Sequence, residues 1–472
     1  MTNELTTYGV KYAVDKTFVA PDLFHLKKWH NIKYIRLTWL DLHNVTRCRV
    51  LSLGYFERLL ETSSGRPGVS VVGCVMGLVG LRIASGFSAA GGYLYVADLS
   101  SMRLCPYAHG HAMLFGWFQN LQPVPEQPLD YDLCPRTLLA RQTLEASKRG
   151  VSFLVGFEIE FILLKSTLPE AEPISKHDWT NTASIYTGST GAIVLEEIAD
   201  ALQAGGVELQ MYHAEAAPGQ YEIVTGPLSP LQAADALVFS HEVIYNIANK
   251  HELRATFAPK VFGHSCGSGA HTNVSIHSET SQGETSPKAP TLTPIESVFL
   301  QSVLDNLQAI CAFSLPTVAS YARMGDGVWS GGTYVSWGTE NREAAVRLCG
   351  APGSHRFEIR CVDGTANPYL TLASILAAVI HGMDTKKTLS IAGSVDIAAT
   401  LGKEKREELG ICERRLPLKL EEARKYLEQS EVLRGGLGDN FVTKYLAVNE
   451  TLREHLSADQ ELTELNKIVA MY

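Results

Sequence analysis

Hydrophobic and polar positions alternate with a period of two from Ile32 to Leu51. Ile35, Leu37 and Trp39 fall on one side, and Tyr34, Arg36 and Thr38 on the other. That period predicts a half-buried strand, and "HNVTRCRVL" reads as the return strand of a hairpin. From Gly65 to Asp98 the chain turns to Gly, Val and Ala, with Arg82 the only charge after Arg66, which predicts strands joined by loops. Prolines and a change of charge pattern in "QPVPEQPLDYDLCP" mark a boundary near residues 120–132. Beyond it the period lengthens. Cys134 to Gly150 predicts a helix with Pro135 early, Leu138, Leu139 and Leu144 on its apolar face, and Gly150 as its end. Val194, Ile198, Ala201 and Leu202 predict a second helix, ended by Gly205-Gly206. A third runs from about Ile295 to Phe313 after the polar loop "SETSQGETSPKAPTLTP", and the tail from Leu418 onward is helical and charged.

Three short segments put polar groups on one face of an apolar strand. In "GFEIEF", Glu158 and Glu160 project together while Phe157, Ile159 and Phe161 pack behind them. In "GSGAHTNVSIH", His271, Asn273 and Ser275 share a face, and Gly267 and Gly269 before them let backbone approach a ligand. In "HRFEIRCVDGTANPYL", Arg356, Glu358 and Arg360 oppose Phe357, Ile359 and Cys361. Between the first two segments, Glu215 and Glu222 flank a Pro218-Gly219 turn in "YHAEAAPGQYEIV". Singly, each has a plain reading: a solvated strand face, a hydrogen-bonded structural histidine, a cross-strand ion-pair ladder, an exposed turn. Together, five glutamates and a histidine on apolar-backed strands suit hard divalent cations with oxygen-rich ligation, Mg²⁺ or Mn²⁺. The near-balance of charge then leaves room for a phosphate substrate clamped by arginines.

Composition narrows the class. The chain has 472 residues, 45% hydrophobic and 19% charged, with a formal net charge of −9. These are globular values that exclude collagen-like, coiled-coil and disordered chains, and the acidic balance argues against a non-specific nucleic-acid binder. The cysteines are scattered with no CxxC pair, which suits reduced thiols in the cytoplasm. Met1 to Lys16 show no apolar leader, and the longest uncharged stretch, Gly68 to Leu81, falls short of the roughly 20 apolar residues a membrane span needs. The expectation is a soluble, cytoplasmic protein with small-molecule partners, no nucleic acid and no membrane.

Five motifs, "GFEIEF", "AEAAPGQYE", "APKVFGHSCGSGAHTNVS", "SYARMGDGVWSGG…WGTENREAAVR" and "RFEIRCVDGTANPYL", resemble the glutamine synthetase family in order and approximate spacing. The chain resembles the shorter fungal and bacterial glutamine-synthetase-like proteins, including the synthetase-like half of fungal developmental-signal proteins, without the amidohydrolase half of those fusions. The resemblance implies an α+β fold: an N-terminal arm (1–31), a small β-grasp domain (32–120), and a catalytic domain (121–472) with a curved antiparallel sheet and helices. It implies a homo-oligomeric ring with sites at subunit interfaces. It makes Glu160, Glu215 and Glu222 ligands of one metal, and Glu158, His271 and Glu358 ligands of a second. By the same resemblance Arg342 and Arg347 hold the transferring phosphate, while Asn273, Ser275, Arg347 and Arg356 lie on the nucleotide side. Arg323 and Arg360 bind substrate carboxylate beside Gly267. The implied reaction is ATP-dependent and ADP-forming: a carboxylate is activated as an acyl phosphate, and an amine displaces the phosphate to give an amide.

The sequence departs from ammonia-using members of that family. Their flap-loop glutamate falls here at Trp329, with Asp326 out of step, and the aspartate of their "DGSS" stretch has no counterpart between Gly65 and Asp98. Asn273 stands where many carry a second histidine, and Gly353 where some carry a lysine. The losses fall on the ammonium side, and Trp329 offers an aromatic face to an organic amine. The expectation is therefore glutamate γ-carboxylate joined to an amine other than ammonia. An ordinary ammonia-dependent synthetase and a non-catalytic scaffold on the same fold stand as alternatives.

Overall fold

The computed structural model describes residues 9–63, 65–123, 125–176, 182–278, 285–457 and 462–472. The start of the predicted arm (1–8), part of the polar loop (279–284) and a piece of the tail (458–461) lie outside them. The first predicted hairpin forms from Tyr34–Leu40 and Thr46–Ser52, with Tyr34 opposite Ser52. Tyr34–Leu37 also pairs in parallel with His111–Leu114. A second, three-stranded sheet joins Gly68–Val72, Gly92–Ala97 and Gly116–Asn120. The arm holds a helix that the pattern did not predict, Leu23–His30.

The large sheet has nine strands. Along its main path they run Leu209–Ala214, Gln220–Thr225, Val151–Ser166, Thr272–Ser278, Arg356–Ile359, Val346–Cys349 and Trp337–Thr339. Neighbours are antiparallel except the last pair, which is parallel. The alternation read from the sequence decides which face looks inward. Phe153 and Phe357 both meet Phe299 of the helix Pro294–Ser314, at ring separations of 6.4 and 4.8 Å. Phe161 meets Phe257 at 6.0 Å. Each such phenyl ring, removed from water, contributes about 1.5–3 kcal/mol, and each fixes its polar neighbours on the opposite face.

The helices follow from their ends. Pro294–Ser314 starts at a Thr293/Glu296 capping box with proline in the first turn. Pro368–Asp384 starts where Asn367 Oδ1 accepts the N–H groups of Tyr369 and Leu370, and Asn367 Nδ2 donates to the Asp41 carbonyl at the tip of the first hairpin. The helix Pro135–Ser147 is found as predicted, with one correction. Leu144 is exposed, and the buried face is Arg136, Leu138, Leu139, Gln142 and Ala146. At 100° per residue, Leu144 points well away from Leu138. No helix among the described residues is long and apolar enough to cross a membrane.

Arg136 ties the small sheets to the helical layer. It is buried, donates to both carboxylate oxygens of Asp235 at 3.0 and 2.9 Å and to Asp98 at 2.7 Å, and lies 4.0 Å from the Trp117 ring centre. Arg136→Ala strands two carboxylates, one of them fully buried, so we expect a loss of about 3–5 kcal/mol in urea unfolding. A loss below about 1 kcal/mol would show that the clamp is dispensable.

Candidate active site

Strand register assembles the acidic face. Glu158 pairs with Val224 and Glu160 with Glu222 across one edge of the long strand, while Gly156 pairs with Asn273 across the other. Asn273 in turn pairs with Glu358, and Glu358 with Arg347. Carboxylates placed opposite one another repel, so each needs compensation.

Glu358 has none of its surface exposed and lies between two arginines. Arg347 Nη1 donates to Oε2 at 3.0 Å, and Arg360 Nη1 donates to Oε1. Glu160 Oε2 accepts the Gly269 N–H at 2.9 Å and Gln220 Nε2 at 3.2 Å. Burial still raises the Glu160 carboxyl above its usual range. A side chain at Gly269 would run into the Arg323 guanidinium and the His271 ring, so only glycine lets this backbone reach the carboxylate.

His271 Nδ1 faces three carboxylates: Glu158 Oε2 at 3.0 Å, Glu358 Oε1 at 3.6 Å and Glu160 Oε1 at 3.7 Å. Its Nε2 lies 3.0 Å from Arg323 Nη2, which can only donate, so without a cation the ring proton sits on Nδ1, and a metal ion bound among the carboxylates would displace it. Burial, reinforced by Arg360, pushes the ring down to about 3, leaving it neutral. Glu158, His271 and Glu358 bring ligand atoms within 4.8 Å of one another.

The second acidic set differs from the one implied by the resemblance. His213, rather than Glu160, groups with Glu215 and Glu222 within 4.8 Å. His213 Nδ1 is 3.6 Å from Glu215 and Nε2 is 3.4 Å from Glu222. Its hydrogen bond with Glu222 pushes the His213 ring up, and burial pushes the Glu222 carboxyl up. Glu160 stands between the two sets. In the first set, carboxylate oxygens with the neutral His271 imidazole are a donor set that fits Mg²⁺ or Mn²⁺.

Of the remaining sequence candidates, Arg356 is exposed and donates to Asn273 Oδ1 at 3.1 Å. Ser275 Oγ lies 2.8 Å from His277 Nε2. Arg342 is exposed. The Gly267 carbonyl accepts Gln220 Nε2 at 3.0 Å, beside the buried Arg323. Trp329 is 65% exposed, and its carbonyl accepts Arg360 Nη2 at 2.7 Å. Three residues of this neighbourhood were missed. His213 and Gln220 lie in the "YHAEAAPGQYE" motif, where alternation and a lone amide were the available signals. Glu343 accepts N–H groups of the Trp329 loop from a position 14 residues further along, and spacing carried no signal for it.

Comparison with known proteins bears on this geometry. The family model "glutamine synthetase, catalytic domain" matches residues 132–467. "Protein fluG" of Emericella nidulans is 34% identical over 454 residues, covering 93% of this chain and 49% of the relative. The chain thus spans about half the length of that relative. "Type-1 glutamine synthetase 1" of Dictyostelium discoideum is 27% identical, covering 93% of this chain and 90% of its own. A solved GmaS/ADP complex superposes with a TM-score of 0.76 at 25% identity, over 93% of this chain and 97% of that one.

The titration of the second set has a definite sign. In metal-free protein, folded His213 and Glu222 hold protons that the unfolded chain has released, because both are raised above their unfolded values. Folding stability contributed by these groups therefore falls as pH rises from about 4.5 to about 9. We expect the Tm in chelator to fall across that range, Glu222→Gln to flatten the slope, and Mn²⁺ to raise the upper end. A flat profile with no response to Mg²⁺ or Mn²⁺ would contradict the cation reading.

Proposed function

The chain belongs to the glutamine synthetase family, and we propose that within it this protein is an ATP-dependent ligase joining a carboxylate to an amine other than ammonia. One asymmetry carries the reading. The phosphate-facing side gathers five glutamates, His271 and the arginines Arg323, Arg347 and Arg360 on adjoining strands and loops. On the amine side, the flap position implied by the resemblance carries an exposed indole, and no acidic residue occurs from Gly65 to Ala97.

The chemistry follows from that division. Glu158, His271 and Glu358 would hold one divalent ion and Glu215 and Glu222 another, with Glu160 between them. Such ions supply positive charge to the polyphosphate of ATP and orient it. In the first step a substrate carboxylate oxygen attacks the γ-phosphorus as the bond to the ADP oxygen breaks, giving an acyl phosphate. In the second the amine nitrogen attacks the acyl carbon, inorganic phosphate leaves with the C–O bonding pair, and the nitrogen's proton passes to the departing phosphate. An anion approaching a polyanion needs positive charge already in place. Arg347 meets that need where its guanidinium already binds a carboxylate, and Arg342 adds to it from an exposed position.

Arg323 and Arg360 face the same cluster from buried positions, which suits holding a substrate carboxylate beside Gly267. Asn273, Ser275 and Arg356 form the nucleotide side. Trp329 gives an organic amine or its alkylammonium form an aromatic surface. Glutamate is the acid this family membership favours. We extend the reading to a cytoplasmic ring of copies and to the division at residue 120 between a β-grasp unit and the catalytic unit.

An ADP-release assay with ATP, Mg²⁺, L-glutamate and a panel of amines tests the assignment. We expect organic amines to outpace ammonium, and Glu158→Ala and Arg342→Ala each to abolish ADP formation. Ammonium outperforming every organic amine would overturn the amine assignment. Wild-type turnover in either variant would mean the phosphate side is misplaced.

A further inference from the structure

The loop from Met324 to Thr333 is fastened at every turn. Ser330 Oγ accepts the Gly325 N–H at 2.9 Å and donates to the Gly325 carbonyl at 2.8 Å. Asp326 Oδ1 accepts the Thr333 N–H at 2.8 Å, and Arg415 donates to Asp326 Oδ2 at 3.2 Å. The centre of the fastening is Glu343, which is only 7% exposed. Its Oε1 accepts the Trp329 N–H at 2.6 Å and its Oε2 the Gly327 N–H at 2.9 Å. The Glu343 N–H itself donates to Asn341 Oδ1 at 2.9 Å, and Asn341 Nδ2 donates to the Ser394 carbonyl at 2.9 Å. The carboxylate is thus anchored to a segment outside the loop.

Trp329 shows what this anchoring achieves. Its φ is +58°, a left-handed conformation that a bulky side chain rarely takes and that persists only when its surroundings over-determine it. Here the surroundings do so from both directions. Glu343 holds the N–H of Trp329, and Arg360 holds its carbonyl while also donating to Glu358. The side chains at the tip stay outside: Val328 is 58% and Trp329 65% exposed. The backbone is clamped while an apolar surface is presented. Both Glu343 oxygens already accept backbone N–H groups, so the residue is poorly placed to take a proton from a substrate.

Building on the ligase reading above, we propose that Glu343 is a positioning residue: it latches the 324–333 loop so that Trp329 forms a fixed wall against which the amine is selected. The carboxylate that ammonia-using relatives are expected to present from this loop is replaced by one that holds the loop from behind. Selection then rests on a rigid aromatic surface, and Arg360 makes the latch sensitive to what occupies the site at Glu358.

Two readouts test this on the 472-residue chain, with Glu343→Ala and Glu343→Gln both checked for wild-type circular dichroism. The first is amide hydrogen exchange across 325–333, which needs no substrate. We expect exchange at least about tenfold faster in Glu343→Ala, and an intermediate rate in Glu343→Gln, which keeps one acceptor. The second is ADP release with methylamine, ethanolamine, putrescine, benzylamine and ammonium. For the best organic amine, kcat/KM should fall by about 100-fold in Glu343→Ala. The KM for ATP should stay within about twofold, the preference over ammonium should shrink, and the pH profile should keep its shape. Unchanged exchange in Glu343→Ala overturns the latch and leaves the ligase reading standing. Faster exchange with wild-type amine preference overturns the wall. Equal losses in both variants with an altered pH profile would make Glu343 a base instead. Wild type that forms no ADP with any amine overturns the ligase reading and the wall with it, while the exchange result still decides the latch.

Discussion

Carboxylates forced to face one another on a buried strand surface are the constraint that the rest of this molecule answers. An ion taken out of water costs several kcal/mol even after the protein relaxes, and Glu158, Glu160, Glu222 and Glu358 lie on three of four consecutive strands, with Thr272–Ser278 between those of Glu160 and Glu358. The chain compensates each one differently. Glu358 has two arginines, Glu160 a backbone N–H and an amide, and Glu215 and Glu222 share a histidine. Burial nevertheless raises Glu160 and Glu222. The protein's own groups leave the set under-compensated in the direction that a bound cation corrects.

That tension makes sense of how the core is built. The rings of Phe153, Phe161, Phe299 and Phe357 are fully or almost fully buried behind the acidic face. Repulsion on one side of a strand is resisted by close packing on the other. The "DGTANP" motif belongs to this support. Asp363 accepts the Thr365 N–H, and Asn367 caps a helix while reaching the first hairpin. Residues that look like chemistry in one dimension hold the scaffold in three.

Much of this was legible in the sequence because a strand has a period of two. That period places Glu158 with Glu160, and Arg356 with Glu358 and Arg360, from the sequence alone. The period of a helix was read less well where only leucines were counted. Counting leucines puts Leu144 inward, whereas it is exposed and the polar Arg136 and Gln142 are buried. What the pattern could not reach was contact made through backbone. Glu343 touches Gly327 and Trp329 by their N–H groups, so neither side-chain type nor spacing announced it. His213 was hidden for another reason: it alternates with Glu215 on an edge strand, but only the pairing of that strand with its neighbour sets the ring against Glu222.

The pairing of Gly156 with Asn273 and of Asn273 with Glu358 also bears on how such a protein can diverge. Because side chains swap faces at every residue, inserting or deleting a single amino acid within any of these strands would turn phenyl rings toward solvent and acids into the hydrocarbon interior. Length changes are thus survivable only in the connecting segments. Any lineage descended from this chain should acquire new substrates by remodelling its loops, while the spacing inside the strands stays frozen.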